Sequence, residues 1–448
     1  MDQTDSPKDP PTPPANGAGP AAPPGPAAAG HHPYALLRNR DFCLYLVGRL
    51  VATFGGQMFA MALGWEIYDR TGSAMALGLV GLTQMIPMFL FTLPAGHVAD
   101  NYNRKRVVVL MTAIIAAASL GVAAISALRA PVPWIYLCLL IFGTARTFMW
   151  AASAAFLPHL VDRKDLPRAI NWNAGMFQLS SIAGPATAGA IIAWMARCQS
   201  SSPAALVYVI HVLASLAFCV LVAMIRRQHT VAVKEPMTLK ALLTGFKFVY
   251  ATKMILGIIT LDMFAVFLGG ATALLPIYAK DILFVGPAGL GFLRAALPIG
   301  SLACAVMLNH RRPLQKAGRA MLWAVAAFGL ATCGFGLSTW FWLSLLMLFA
   351  CGAADTISVV VRHTLVQMLT PDDKRGRVSA VNNLFIGTSN ELGGFESGAV
   401  AQLFGPTMGQ TLVTGAVVSV VSGGIGTILV VVAVAMIWPQ IRRYGKLA

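Results

Sequence analysis

From Phe42 to Ile437 the chain alternates between long apolar runs and short polar breaks. A helix crossing a bilayer needs about 20 mostly apolar residues, because each residue advances about 1.5 Å and the hydrocarbon layer is about 30 Å thick. Twelve runs meet that length: 42–67, 74–99, 107–128, 132–157, 168–195, 203–225, 254–279, 287–308, 319–338, 339–361, 376–403 and 411–437. The ninth and tenth abut at Thr339-Trp340, where the pattern marks the boundary least. The longest break, 226–253, separates six runs from six. The pattern predicts an all-α integral membrane protein, with twelve transmembrane helices in two six-helix bundles.

Five regions follow. Residues 1–40 read as a disordered cytoplasmic tail, since ten of the first 33 positions are Pro and such a segment buries too little apolar surface to order itself. Residues 41–225 form the first bundle, 254–437 the second, and 438–448 a short cytoplasmic tail. In the linker 226–253, Leu239, Leu242, Leu243, Phe246, Val249 and Tyr250 recur at helical spacing, with Lys240 and Lys247 off the stripe. That spacing predicts an amphipathic helix lying on the inner membrane surface.

The two halves repeat. Leu160-Val161-Asp162-Arg163-Lys164-Asp165-Leu166-Pro167-Arg168 is echoed by Leu369-Thr370-Pro371-Asp372-Asp373-Lys374-Arg375-Gly376-Arg377, an offset of 209 residues that Asn173 and Asn382 keep. Arg168, Arg375 and Arg377 thus fall in equivalent loops and are candidate gating residues. A repeat of this kind places the substrate site between the halves, near the midplane.

Composition agrees. Apolar residues make up 57% and charged ones 11%, where soluble domains carry about 25% charged residues. Mean hydropathy is +0.70. The net charge of +16 would suggest nucleic acid in a soluble protein, but placement decides otherwise. If both termini are cytoplasmic, inner segments hold 26 of the 33 Lys and Arg, Arg362 counted among them. Outer loops hold only Arg70, Arg129, Arg197 and Lys280. This asymmetry predicts cytoplasmic termini. The seven cysteines, with no C-x-x-C pair, predict neither a disulfide framework nor a zinc site. No G-x-x-x-x-G-K-[ST] cradle occurs, so ATP is not expected as a partner, and the scattered histidines predict neither an enzyme nor a metal or other cofactor.

After the second run the chain reads Gly96-His97-Val98-Ala99-Asp100-Asn101-Tyr102-Asn103-Arg104-Lys105-Arg106. This resembles the inner-loop signature of the major facilitator superfamily, with Gly96, Asp100, Arg104 and Lys105 kept. Asn101 and Asn103 stand where a basic residue and a glycine are usual. The fifth run contains Ser180-Ser181-Ile182-Ala183-Gly184-Pro185-Ala186-Thr187-Ala188-Gly189. It is similar to the antiporter pattern of that superfamily around Gly184 and Pro185, with Ser180 and Ala188 in place of glycines; an ordinary proline kink is the other reading.

Three further segments resemble the bacterial enterobactin-exporter and macrolide-efflux family: Leu275–Asp281 leading to Gly286–Gly291, Arg375–Asn382 and Asn390–Gly398. The resemblance spans nearly all of 38–445. It implies a pseudo-symmetric major facilitator fold, location in the bacterial inner membrane, and proton-driven export of a small amphipathic molecule such as a siderophore or drug. A multidrug or macrolide efflux pump, a lysophospholipid flippase of the same fold, and a non-transporting receptor or scaffold stay open as alternatives. Protons, a small molecule and the bilayer are the expected partners of a protein expected to be monomeric.

Ionisable residues inside spans are costly and mark function. Here they are Arg49, Glu66, Arg146, Asp262, Arg294, Asp355, Glu391 and Glu396. Arg49, Thr53, Gln57, Ala60 and Gly64 share one face of the first span; Asn383, Gly387, Asn390, Glu391, Gly394 and Gly398 share one of the eleventh. Both stripes suit a water-filled cavity, so Arg49, Thr53, Gln57, Arg146, Arg294, Asn390 and Glu396 are candidate cavity or substrate residues. Glu391 and Glu396 are about 140° apart around a helix, so both cannot face straight inward. As proton carriers the order is Asp262, Glu391, Asp355. Arg294 is the expected neutraliser of Asp262, and Glu66 is expected close to the outer surface.

Overall fold

The computed structural model describes residues 35–226, 246–310, 316–371 and 374–445. The N-terminal tail 1–34, most of the expected linker helix and the last three residues lie outside the described residues, although 246–251 is helical.

Helices α1 (Arg40–Thr71), α2 (Ala74–Asn101), α3 (Arg104–Ala127), α4 (Pro133–Phe156), α5 (Leu166–Arg197) and α6 (Ala205–Ala223) form the first half. The second comprises α7 (Lys253–Leu268), α8 (Gly286–Asn309), α9 (Ala317–Leu337), α10 (Phe341–Leu369), α11 (Arg375–Leu403) and α12 (Leu412–Ile437), followed by the short α13 (Pro439–Arg443).

The polar breaks supply the caps. The Asn39 side chain accepts from the N–H groups of Asp41 and Phe42 at the start of α1, which ends at Gly72 with φ 58°, a left-handed position that glycine takes without steric penalty. Asn103, the departure from the superfamily signature, is the N-cap of α3; its side chain accepts from the N–H of Arg106. The turn is therefore closed by an amide side chain instead of by glycine freedom.

The expected seventh span departs from a single helix. α7 stops at Gly269, and the chain continues through a 3-10 segment (Ala271–Leu274), a turn containing Pro276 and a π-helical turn (Tyr278–Ile282). A Cβ at Gly270 would collide with the Gly393 carbonyl of α11, so two backbones meet where the helix breaks. Counting 253–282 as one span, twelve helical segments among the described residues are long enough to cross a bilayer. Eleven are also strongly apolar; α11 is the exception.

Packing repeats between the halves. α1 packs on α5 and α6, α2 on α4, and α3 on α4 and α6. In the same way α7 packs on α11 and α12, α8 on α10, and α9 on α10 and α12. The halves join along two equivalent seams, α2 with α11 and α5 with α8. Lipid provides no hydrophobic drive between helices, so close packing of small residues must hold such seams. A Cβ at Gly81 would lie 2.5 Å from the Glu391 carbonyl oxygen, and one at Gly291 would lie 2.6 Å from that of Pro185. Large apolar side chains such as Phe89, Leu213, Trp323 and Leu429 point outward, as a lipid-facing surface requires.

Candidate functional site

A cavity of about 380 Å³ lies between the halves, midway along the helices. Gln57 of α1 and Phe177, Gln178 and Ser181 of α5 line one side; Leu275, Leu293, Arg294, Leu297, Pro298 and Ser301 line the other, with Leu348 of α10. Gln57 Nε2 donates to Ser181 Oγ at 2.8 Å, and Gln178 Nε2 donates to the Pro298 carbonyl at 2.5 Å across the α5–α8 seam. Pro298 lacks the N–H that would bond the carbonyl four residues earlier, that of Arg294. Arg294 is half-buried, and its Nε is enclosed with no hydrogen-bond partner. A Cβ at Gly64 would lie 3.4 Å from Arg294 Nη2, so the guanidinium reaches from α8 to α1.

The acids take positions that the sequence leaves undecided. Asp262 is buried and ion-paired with Arg362, 7% and 3% exposed respectively. This corrects two expectations. Arg294 does not neutralise Asp262, and Arg362 is no loop charge, because α10 continues to Leu369 and carries it inside the second half. Both residues of this pair belong to one half, and neither is among the cavity-lining residues.

Glu391 bridges the halves. Its Oε1 accepts from Arg146 Nη2 at 2.9 Å, joining α11 to α4, with both side chains partly open to solvent. Glu396 is half-buried and accepts weakly from Ser397 Oγ at 3.5 Å. Asp355 is half-buried on α10, without an ion pair among the described residues. Glu66 is buried and pairs with Arg70 at 3.1 Å, near the far end of α1.

Of the α1 stripe, Gln57 lines the cavity and Gly64 faces Arg294, while Thr53 is half-buried and Arg49 turns to Met149 Sδ of α4 at 3.6 Å. The α11 stripe largely serves a seam. Gly387 meets Met88, and Gly398 meets Ala74 and Gly78, all on α2; exposed Asn390 folds back to the Ile386 carbonyl at 2.8 Å. The small residues of the stripe thus lie where backbones touch, while its polar members Asn383 and Asn390 are exposed and Glu391 is partly open.

The end of the molecule away from the termini is closed between the halves. Lys280 Nζ contacts Asp69 Oδ1 at 2.6 Å, and the Tyr68 hydroxyl donates to Asp281. Ser73 Oγ donates to Gln402 Oε1 at 3.3 Å. Toward the other end, a Cβ at Gly96, Gly175 or Gly376 would meet nothing within 4 Å. Phe177 on the cavity wall is 52% exposed. The polar contacts that close the halves thus lie at the end away from residues 35 and 445, and the cavity wall is exposed at Phe177.

The signature residues sit at the end nearer residues 35 and 445. Arg104 Nε donates to the Ala99 carbonyl at 3.0 Å and its guanidinium contacts His159, while Lys105 Nζ donates to the carbonyls of Ala223 and Ile225 at 2.8 and 2.7 Å. Asp100 forms no ion pair among the described residues. Arg168 pairs locally with Asp165 at 3.3 Å, Arg377 is exposed, and the side chain of Arg375 lies outside the described residues. Around the Gly184-Pro185 bend, Ser180, Gly184 and Ala188 are buried one turn apart; a Cβ at Gly184 would lie 2.7 Å from Gln57 Cβ. Small size, which Ser and Ala share with glycine, is what the α1–α5 contact demands.

Sequence reasoning missed four contributors: Arg362, Gln178 and the Tyr68–Asp281 and Asp69–Lys280 contacts. Arg362 was visible as a charge seven residues inside a helix; the other pairings join residues more than 100 positions apart and left no local signal.

Two repeated six-helix halves around a central cavity, joined by polar contacts at one end, define a transporter of the major facilitator type. The chain belongs to the transmembrane secretion effector family of that superfamily, which matches residues 31–436. It is 25% identical over 407 residues to the enterobactin exporter EntS of Escherichia coli O1:K1 / APEC, covering 90% of this chain and 93% of the relative. The EntS of Shigella boydii serotype 18 matches equally, at 25% identity over the same shares. Among solved structures, a bacterial homologue of the human lysosomal transporter Spinster, inward-facing and occupied, superposes with a TM-score of 0.70 at 13% identity, covering 92% of this chain and 98% of that one. The nucleoside transporter NupG gives 0.69 at 14% identity, covering 90% and 99%. These structural likenesses establish the fold.

Proposed function

We propose that the protein is a proton-coupled antiporter that exports a small amphipathic molecule from the cytoplasm by alternating access. Its relatives named as enterobactin exporters make a siderophore-like cargo the first choice. The carrying observation is the Arg146–Glu391 ion pair, which joins the two halves. With cargo bound from the cytoplasmic side, the halves rock about their small-residue seams, and the Tyr68–Asp281 and Asp69–Lys280 contacts part to open the far end. There a proton from outside enters Glu391, cancels its charge and frees Arg146 as the cargo leaves. The protonated protein returns to the cytoplasm-facing state, releases the proton there, and the Arg146–Glu391 pair re-forms.

The basic-residue asymmetry orients both termini toward the cytoplasm, so the described state is inward-facing in the bacterial inner membrane. Each proton entering down about 100 mV releases about 2.3 kcal/mol, and each pH unit adds about 1.4 kcal/mol. A neutral cargo is thereby concentrated by one to a few powers of ten per proton. The unit of transport is a monomer that uses neither ATP nor a cofactor. The domain bounds 41–225 and 254–437 are the two rocking bodies.

The deciding experiment reconstitutes the protein in proteoliposomes with an imposed pH gradient and follows siderophores, macrolides and lysophospholipids. Gradient-driven movement of a siderophore-like compound that stops with an uncoupler supports the proposal; movement of none, or movement indifferent to the gradient, defeats it.

A further inference from the structure

We infer that the cargo of the central cavity is an amphipathic acid, held through its anionic group by Arg294. This rests on the transporter reading of the cavity and narrows its substrate class.

Arg294 is the one charged side chain that lines the cavity among the described residues. Its Nε is enclosed and unpartnered. Of the acids within the spans, Asp262 pairs with Arg362, Glu391 with Arg146 and Glu66 with Arg70, and Asp355 and Glu396 form no ion pair with Arg294 among the described residues. A cation in a low-dielectric enclosure is costly until a counter-ion arrives. The site therefore carries an uncompensated positive charge that attracts anions and repels cations. A guanidinium presents a planar fork of N–H donors that matches two oxygens of one carboxylate or a similar anion.

The surroundings specify the rest of the molecule. Gly64 faces the guanidinium from α1, where a Cβ would sit in van der Waals contact, 3.4 Å from Nη2. Gln57 and Ser181, already bonded to each other, offer neutral polar contact nearby. Leu275, Leu293 and Leu348 supply an apolar wall, and about 380 Å³ accommodates a compact organic body. Lipophilic ammonium compounds meet the wrong charge here.

The test compares three fluorophores that share one dansyl body: dansylglycine with a carboxylate, neutral dansylamide, and dansylcadaverine with an ammonium. Binding to the purified full chain in detergent is read by fluorescence enhancement. Dansylglycine should bind at least tenfold more tightly than dansylamide, with dansylcadaverine weakest. Arg294→Gln should erase the preference for the acid, and Arg294→Lys, which keeps the charge but not the fork, should retain part of it. If Arg294→Gln does not fold, the wild-type ranking and the Arg294→Lys variant still decide. Equal affinities for the three probes in the wild type, or an undiminished preference in folded Arg294→Gln, overturns the inference. Transport of the same probes into proteoliposomes separates the two claims. Selective binding without any transport defeats the transporter reading alone, and gradient-driven transport with no charge preference defeats the assignment to Arg294 alone.

Discussion

Arg146 and Glu391, 245 positions apart in the chain, meet at 2.9 Å across the two halves. The contact gives the opposite halves a charge pair that a single proton can undo. Glu391→Gln should abolish uphill export and leave counterflow exchange of cargo measurable in proteoliposomes. Arg146→Gln should do the same, while the double exchange Arg146→Glu with Glu391→Arg should restore inter-half pairing without restoring proton coupling. Full gradient-driven transport by Glu391→Gln would remove this pair from the mechanism.

Asp262 and Arg362 have a different task. Their pair is buried within the second half, and removing one partner leaves an uncompensated charge that costs about 3–5 kcal/mol. Asp262→Asn should lower the thermal unfolding midpoint of the purified protein markedly. Replacing both, as Asp262→Asn with Arg362→Met, should recover most of the loss, because an unpaired guanidinium no longer remains. A double variant that retains its fold yet loses gradient-driven export would return Asp262 to the head of the proton-carrier candidates.

At the far end, Lys280 with Asp69 is largely exposed, a kind of pair that contributes about 0.2–1 kcal/mol. Tyr68→Phe combined with Lys280→Met should shift the population toward the outward-open form by a few-fold without unfolding the protein. Maleimide labelling from the far side of a cysteine placed at Thr272, a cavity-lining position, should accelerate correspondingly. The native cysteines, all free, would be replaced first.

Gly291 tests the seam itself. A Cβ there would lie 2.6 Å from the Pro185 carbonyl oxygen and 3.0 Å from the Ala186 Cα, both backbone atoms that cannot turn aside. Gly291→Val should leave expression and helix content near normal yet prevent closure of the α5–α8 seam, reducing transport at least tenfold. Normal transport by this variant would show that the close approach is dispensable.

Much of this arrangement was legible in the chain. Span length, the repeat at 160–168 and 369–377, and the small residues around Gly184 each report a local requirement: the thickness of the bilayer, a duplicated loop, a helix surface that must let another approach. The break after Gly269 was less legible, since Gly269-Gly270 and Pro276 marked a weak helix but not the carbonyl of Gly393 that fills the gap. Along α11 the sequence shows small and polar residues on one face, but only packing separates the glycines that meet α2 from the exposed Asn383 and Asn390.

The sequence by itself determined the membrane, the twelve spans, the two-fold repeat and the family, because these depend on hydrophobic length and on residues near one another in the chain. Only the tertiary structure decided which charge meets which. Asp262 went to Arg362, Glu391 to Arg146, and Arg294 was left without a partner facing the cavity. The physical reason is that an ion pair in a low-dielectric interior is selected by a few ångströms of separation, and that separation is set by how helices distant in the chain come to pack.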